Sequence, residues 1–244
     1  EILRCLVGSE MCIRDSFMSD LHGEYDAFYH IINNCSGVIR EKVAMLYGDE
    51  LTIYEQQELC TLIYYPREKL SILMDENKVN DEWYRNVLNQ LIQIAKLLSS
   101  KYTRSKVRKA MPVDFAYIID ELIHAQKDED DNRSVYHRQI METILSLHNG
   151  DEFLVALTDL IKRLAVDHLH ILGDIYDRGS HADKILDLLM EHHSVDIQWG
   201  NHDILWMGAF CGNPVCMALV VRNNIKYKTC LLYTSPSPRD ISGS

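Results

Sequence analysis

No apolar run in the 244 residues approaches the roughly 18 that a membrane span needs. The first residues also lack the basic and apolar regions of a secretory signal. No membrane partner is expected, and the location is read as cytoplasmic. Paired thiols are missing too. The seven cysteines are odd in number, form no C-x-x-C pair and stand at no Cys/His zinc spacing, so they read as reduced thiols. Cys211 and Cys216 lie on apolar stretches and are read as core filler. Positive charge is scarce: 25 Lys and Arg against 36 Asp and Glu leave a net charge of −11, which argues against broad nucleic-acid binding because phosphate backbones need a basic face. No internal repeat is found. What remains, 47% apolar and 25% charged, is the composition of an ordinary globular protein with one or two cores.

The informative stretch is LHILGDIYDRGSHADKILDLLMEHHSVDIQWGNHD, Leu169 to Asp203. Leu169 to Leu172 is a short apolar run closed by Gly173, and Val195, Ile197 and Trp199 alternate with polar residues before Gly200; both read as strands. Between them, Ile185, Leu186, Leu188, Leu189 and Met190 have helical spacing, predicting a helix over 182–193. The unit is a βαβ crossover, so its strands are parallel neighbours. Chemistry in open α/β sheets collects at the carboxyl ends of such strands. There the first strand delivers Asp174, Asp177 and Arg178, and the second delivers Asn201, His202 and Asp203.

A third polar block stands far upstream at Ser19-Asp20-Leu21-His22-Gly23, after Phe17 and Met18. In an extended segment residues two apart point the same way, so Asp20 and His22 can hold one ion together. Asp, His and Asn are mixed oxygen and nitrogen donors that suit Mn, Fe or Zn. Asp174, at a neighbouring strand end, could bridge to a second ion. The bland alternative is a set of solvated loop acids and a satisfied histidine.

DLHG, GDIYDRG and GNHD, in this order, resemble the first three motifs of the calcineurin-like metallophosphoesterases. The text between the first two, including AFYHIINNCSGVIREKV, LIYYPREKL and SSKYTRSKVRKAMPVDFAYIIDEL, together with VDIQWGNHDILWMGA, resembles the class III, Firmicutes-type fructose-1,6-bisphosphatases over about Phe17 to Tyr227. The resemblance implies a partial α/β sandwich of the metallophosphoesterase type, with a large all-helical insertion between the first and second metal motifs. It also implies a two-metal phosphomonoesterase that turns fructose 1,6-bisphosphate into fructose 6-phosphate, usually with Mn²⁺. Asp20, His22 and Asp174 would hold the first ion; Asp174, bridging, and Asn201 would hold the second. His202 would serve the leaving oxygen as general acid, Asp177 would orient and charge it, and Arg178 would grip phosphate oxygens. The family's downstream histidine motifs, including a terminal Gly-His-x-His, are absent, so the chain is expected to be an inactive fragment by itself.

The expected division is a core of 17–23 and 166–228, a helical insertion of 24–165, and non-native ends at 1–16 and 229–244. Cys5 to Ser16 and Cys230 to Asp240 resemble translated adaptor read-through. Within the insertion, helices are predicted over 24–33, 38–47, 53–64 behind the Thr52/Glu55 capping box, 67–76 after Pro66, 81–98 behind Asn80 or Asp81, 112–123, 135–147 and 152–165, with an acidic loop over 128–131. The basic run KYTRSKVRK offers Lys101, Arg104, Lys106, Arg108 and Lys109 to the sugar's second phosphate; a solvated helix face is the alternative. His168, His170, His192 and His193 are read as structural, the last two as cations at a helix C-terminus. Two other functions compete. One is a phosphoprotein or dinucleoside-polyphosphate phosphatase, disfavoured because Gln198-Trp199 stands where phosphoprotein phosphatases carry arginine. The other is a non-catalytic helical binding module on a phosphatase-like core. The expected partner is a small sugar bisphosphate, and a homo-oligomer stays open.

Overall fold

The structure, a computed structural model, describes residues 15–124 and 131–227. Readings placed on Cys5 to Arg14, on Asp128 to Asp130 and on the last seventeen positions lie outside the described residues. In chain order the elements are β1 (Asp15–Met18), α1 (Tyr25–Asn33), α2 (Val38–Tyr47), α3 (Ile53–Tyr64), α4 (Pro66–Asp75), α5 (Asp81–Ser99), α6 (Arg104–Ala110), α7 (Ala116–His124), α8 (Asp131–Ser146), α9 (Gly150–Ala165), β2 (His168–Ile171), α10 (Ala182–Glu191), β3 (Val195–Ile197), α11 (Asn201–Phe210) and α12 (Pro214–Tyr227). Asn33–Val166 forms one compact unit, and the described residues on either side of it form the other. No helix among the described residues is long and apolar enough to cross a membrane.

The helical unit follows local sequence signals closely. Thr52 Oγ1 accepts from the Glu55 backbone N–H while Glu55 takes the Thr52 N–H at 2.8 Å, the predicted reciprocal cap of α3. Asn80 caps α5 by accepting from the Trp83 N–H at 2.8 Å, and Pro66 both ends α3 and opens α4. Val87, Leu91, Ile94, Ala95 and Leu98 of α5 are buried, one apolar stripe at helical spacing. They pack most extensively on α9, whose Phe153, Leu154, Leu157, Leu160 and Ile161 are inaccessible to solvent. The differences from expectation are local. A 3₁₀ turn at Val113–Phe115 precedes α7, and α8 starts at Asp131 rather than Val135.

The second unit is α/β. Its sheet, three-stranded among the described residues, has order β1-β2-β3 with both pairs parallel, as the βαβ reading requires. Met18 pairs with Ile171 and Ile171 with Ile197. Met18, Leu169 and Ile171 face a core completed by Leu21, Phe28, Ile175, Ile185 and Leu189. β1 begins at Asp15, inside the stretch expected to be foreign. β2 stops at Ile171 and β3 at Ile197, leaving Leu172 and Trp199 exposed beyond the strand ends. The reading of Cys211 and Cys216 as core filler is corrected: Cys211 is exposed at the end of α11 and Cys216 is half-buried. An apolar neighbourhood in sequence did not translate into burial because α11 and α12 also leave Ile204, Met207, Phe210 and Met217 open to solvent.

Candidate functional site

All three strands are parallel, so the loops after Met18, Ile171 and Ile197 leave the sheet at one edge. Backbone hydrogen bonds tie the first loop to the second: the N–H groups of Asp20, His22 and Gly23 donate to the carbonyls of Gly173, Asp174 and Ile175 at 3.2, 2.8 and 2.7 Å. Glycine is required where they cross. Gly23 has φ +70°, and a Cβ there would stand 2.6 Å from the Gly179 carbonyl oxygen.

Asp20 and His22 are not in an extended segment, which corrects the geometric premise for their convergence. Their φ values are +57° and +46°, and Asp174 and Asp177 also have positive φ, +56° and +112°. Four non-glycine residues in unfavourable backbone regions cost on the order of 1 kcal/mol or more each; the inter-loop hydrogen bonds offset that strain. The result still brings Asp20 and His22 together, with His22 Nε2 3.5 Å from Asp20 Oδ1. His22 Nδ1 lies 3.1 Å from the Tyr176 carbonyl, which can only accept, so the neutral ring carries its proton on Nδ1 and presents the Nε2 lone pair.

Asp20, His22 and Asp174 each offer a ligand atom, and these atoms lie within 4.8 Å of one another. Two carboxylates and an anchored neutral imidazole are the donor set of a divalent cation of the Mn, Fe or Zn kind, so the residues fit such an ion. Asp174 Oδ1 also accepts from the His202 N–H at 3.2 Å, coupling the second loop to the start of α11. Asn201, expected as a further ligand, is exposed at the first position of that helix.

His202 stands beside this cluster, its ring meeting that of His22 edge to face with centroids 5.6 Å apart. Its Nδ1 lies against Asp177 Oδ2, and the Asp177 side chain is almost fully buried. Asn223 of α12 donates to the same Asp177 oxygen at 2.8 Å. Arg178 is exposed, its guanidinium 5.9 Å from the centre of the Tyr227 ring. The basic run belongs to the helical unit. There Arg104 is engaged by Asp120 at 2.6 Å, and Lys106 lies 5.2 Å over the Tyr102 ring. Burial alone would raise the Asp120 carboxyl, but the hydrogen bond and charge of Arg104, with His124 and Arg108 adding, hold it below the usual carboxylate range. Lys101 and Arg108 lie in and beside α6.

Two residues of the site carried no assigned role in the sequence reading. Asp203 has no solvent exposure, and its carboxylate accepts from four backbone N–H groups: Asp174 at 2.7 Å, Ile175 at 2.9 Å, Tyr176 at 3.2 Å and Gly200 at 2.8 Å. It staples the second polar loop to the third. The signal was present, since an acid at the third helical position after a glycine is a helix-start pattern; its reach across to the other loop was not. Asn223 had no sequence signal at all.

The profile of the family described as Firmicute fructose-1,6-bisphosphatase matches residues 13–233. Among curated proteins, the chain is 54% identical over 213 residues to a class 3 fructose-1,6-bisphosphatase of Clostridium beijerinckii, 52% to one of Listeria innocua and 50% to one of Bacteroides fragilis. Each alignment covers 87% of this chain and 32% of the relative, so the chain spans about a third of the length of these proteins. No solved structure matches.

Proposed function

Because the chain belongs to the Firmicute fructose-1,6-bisphosphatase family, we propose that its α/β unit carries part of a metal-dependent phosphomonoesterase site that hydrolyses fructose 1,6-bisphosphate to fructose 6-phosphate. In this reading the sheet is part of a metallophosphoesterase-type sandwich, 24–165 is an insertion between its first and second metal motifs, and Mn²⁺ is the resident cation. The observation that carries it is the convergence of Asp20, His22 and Asp174 within 4.8 Å beside the His202–Asp177 pair.

Asp20, His22 and Asp174 would hold one cation, and Asp174 with Asn201 a second. A pair of bound divalent cations lowers the pKa of an attacking water and draws charge from the phosphate oxygens. The chain's own residues do the rest. His202, held at Nδ1 by Asp177, keeps Nε2 for a proton that passes to the sugar oxygen as its bond to phosphorus breaks. Asp177 stabilises the imidazolium form that has this proton to give, and Asn223 holds the carboxylate in place. Arg178, exposed beside the site, offers a planar fork to the phosphate oxygens. Lys101, Arg104, Lys106 and Arg108 are candidates for the second phosphate.

The test is phosphate release from fructose 1,6-bisphosphate with Mn²⁺, run on this chain and on a family-length protein containing it. Turnover by the family-length protein, lost by at least a thousandfold in Asp174→Asn with an unchanged circular dichroism spectrum, is expected. Release from other phosphoesters but not from fructose 1,6-bisphosphate would overturn the substrate, and near-normal turnover by Asp174→Asn would overturn the ligand role.

A further inference from the structure

On the face of the sheet opposite its core, His168 and His170 of β2 and Asp196 of β3 converge. Residues two apart on a strand share a face, which puts both imidazoles on one side. The parallel register sets Asp196 directly across from His170. His170 Nδ1 is hydrogen-bonded to Asp196 Oδ1 at 2.7 Å, a contact an ion would replace, its Nε2 lies 3.9 Å from Asp15 Oδ2, and His168 Nε2 lies 3.8 Å from Asp196 Oδ2. Ligand atoms of His168, His170 and Asp196 all fall within 4.8 Å of one another. Donors on a tetrahedral ion with bonds of about 2.0 Å stand about 3.3 Å apart, and the two separations from Asp196 bracket that value.

Both rings are already oriented. Ser194 Oγ sits 2.6 Å from His168 Nδ1, the outer-shell contact that leaves Nε2 as the metal-facing nitrogen. Phe17 stacks on His170 at a centroid distance of 4.4 Å and 13° between planes, fixing its plane. The two histidine rings lie 4.5 Å apart. The side chains are 31%, 23% and 55% exposed, so an ion can enter and water can complete its coordination.

We propose that His168, His170 and Asp196 form a second, surface metal site for a borderline transition ion such as Zn²⁺. Two imidazoles and one carboxylate select Zn²⁺ over Mg²⁺ or Ca²⁺, which want oxygen donors. The site lies on the strands themselves, not in the loops that carry Asp20, His22 and Asp174, and it does not depend on the phosphatase reading. It revises the reading of His168 and His170 as merely structural.

Calorimetric titration of the metal-free chain with Zn²⁺ tests the proposal. An Asp20→Asn/Asp174→Asn background removes the competing ligands. One Zn²⁺ per chain is expected in that background, weakened at least tenfold by His168→Gln/His170→Gln. Asp196→Asn, nearly isosteric, should weaken it similarly and serves if the double histidine variant does not fold. Zn²⁺ binding unaltered by Asp196→Asn, or no binding in the background protein at millimolar Zn²⁺, would overturn the site.

Discussion

Asp203 is the residue whose loss should be felt furthest from its own position. Its carboxylate satisfies four backbone N–H groups drawn from two loops, in a place with no water to take over. Asp203→Ala leaves those donors buried and unpaired, each costing about 1 to 3 kcal/mol before relaxation. Urea unfolding should therefore show a loss of about 3 kcal/mol or more. Asp203→Asn keeps the size but turns a donor toward the N–H groups and should lose nearly as much. An unchanged midpoint in both variants would mean the loops are held by other contacts. Chemistry restricts which residues can serve such a site, so Asp20, His22 and Asp174, which the structure brings within 4.8 Å of one another, and His202 beside them stand out in the sequence by type and order. Asp203 and Asn223 act through backbone and side-chain geometry, for which order along the chain carries little information.

At the scale of elements, two histidines follow α10, and for the first of them the reading as a cation at the helix end does not survive. His192 is the C-cap of α10, half-buried, with Nδ1 2.9 Å from the Ser194 carbonyl. Burial, then the charge of His193, push its pKa down to about 4 from 6.5; the Ser194 hydrogen bond opposes this and His168 adds to it. The ring is therefore neutral at pH 7 and does not serve the helix dipole as a cation. The sign of the pH effect follows. Between pH 6.5 and 4 the unfolded chain binds a proton that the folded chain refuses, so stability is complete above pH 6.5 and is lost as pH falls toward 4. The shift corresponds to about 3 kcal/mol at most. Chemical denaturation of wild type and His192→Gln at pH 7 and pH 4.5 should show a smaller acid loss in the variant; equal losses would assign the acid sensitivity elsewhere. Element boundaries were legible at Thr52, Pro66 and Asn80, where a local chemical rule set them, whereas the proline rule failed at Pro112, which opens a 3₁₀ turn and not α7. The end of β2 was missed by one residue, at Ile171, where pairing with the neighbouring strands sets it.

At the scale of the whole molecule, the described residues fall into two units, and the helical one begins at Asn33, so that all of α1 but its last residue belongs with the α/β unit. The helical unit has its own core, built on Leu88, Leu91 and Ile94 of α5 and Phe153, Leu157 and Leu160 of α9. Residues 33–166 expressed alone should therefore give a helical circular dichroism spectrum and a single cooperative thermal transition. A featureless melt would show that this core needs the rest of the chain. What the pattern could not reveal was the inverted backbone at Asp20, His22 and Asp174, because aspartate and histidine enter left-handed conformations more often than most residues without announcing them.

The register of the first two strands also sets the order of events in folding. Met18 pairs with Ile171 across about 150 positions of chain, nearly all of it the helical unit. Closing that loop as a flexible coil, rather than after the helical unit has condensed and left about 20 free residues, would cost about 2 kcal/mol more. Helices are therefore expected to form first and the sheet last. A newly made Asp15–Met18 segment must wait unpaired until β2 arrives, and the loops that gather Asp20 and His22 against Asp174 cannot exist before that late pairing. On that order the candidate cation cluster forms last, and destabilising the helical unit should slow its assembly although that unit contributes none of the clustered side chains.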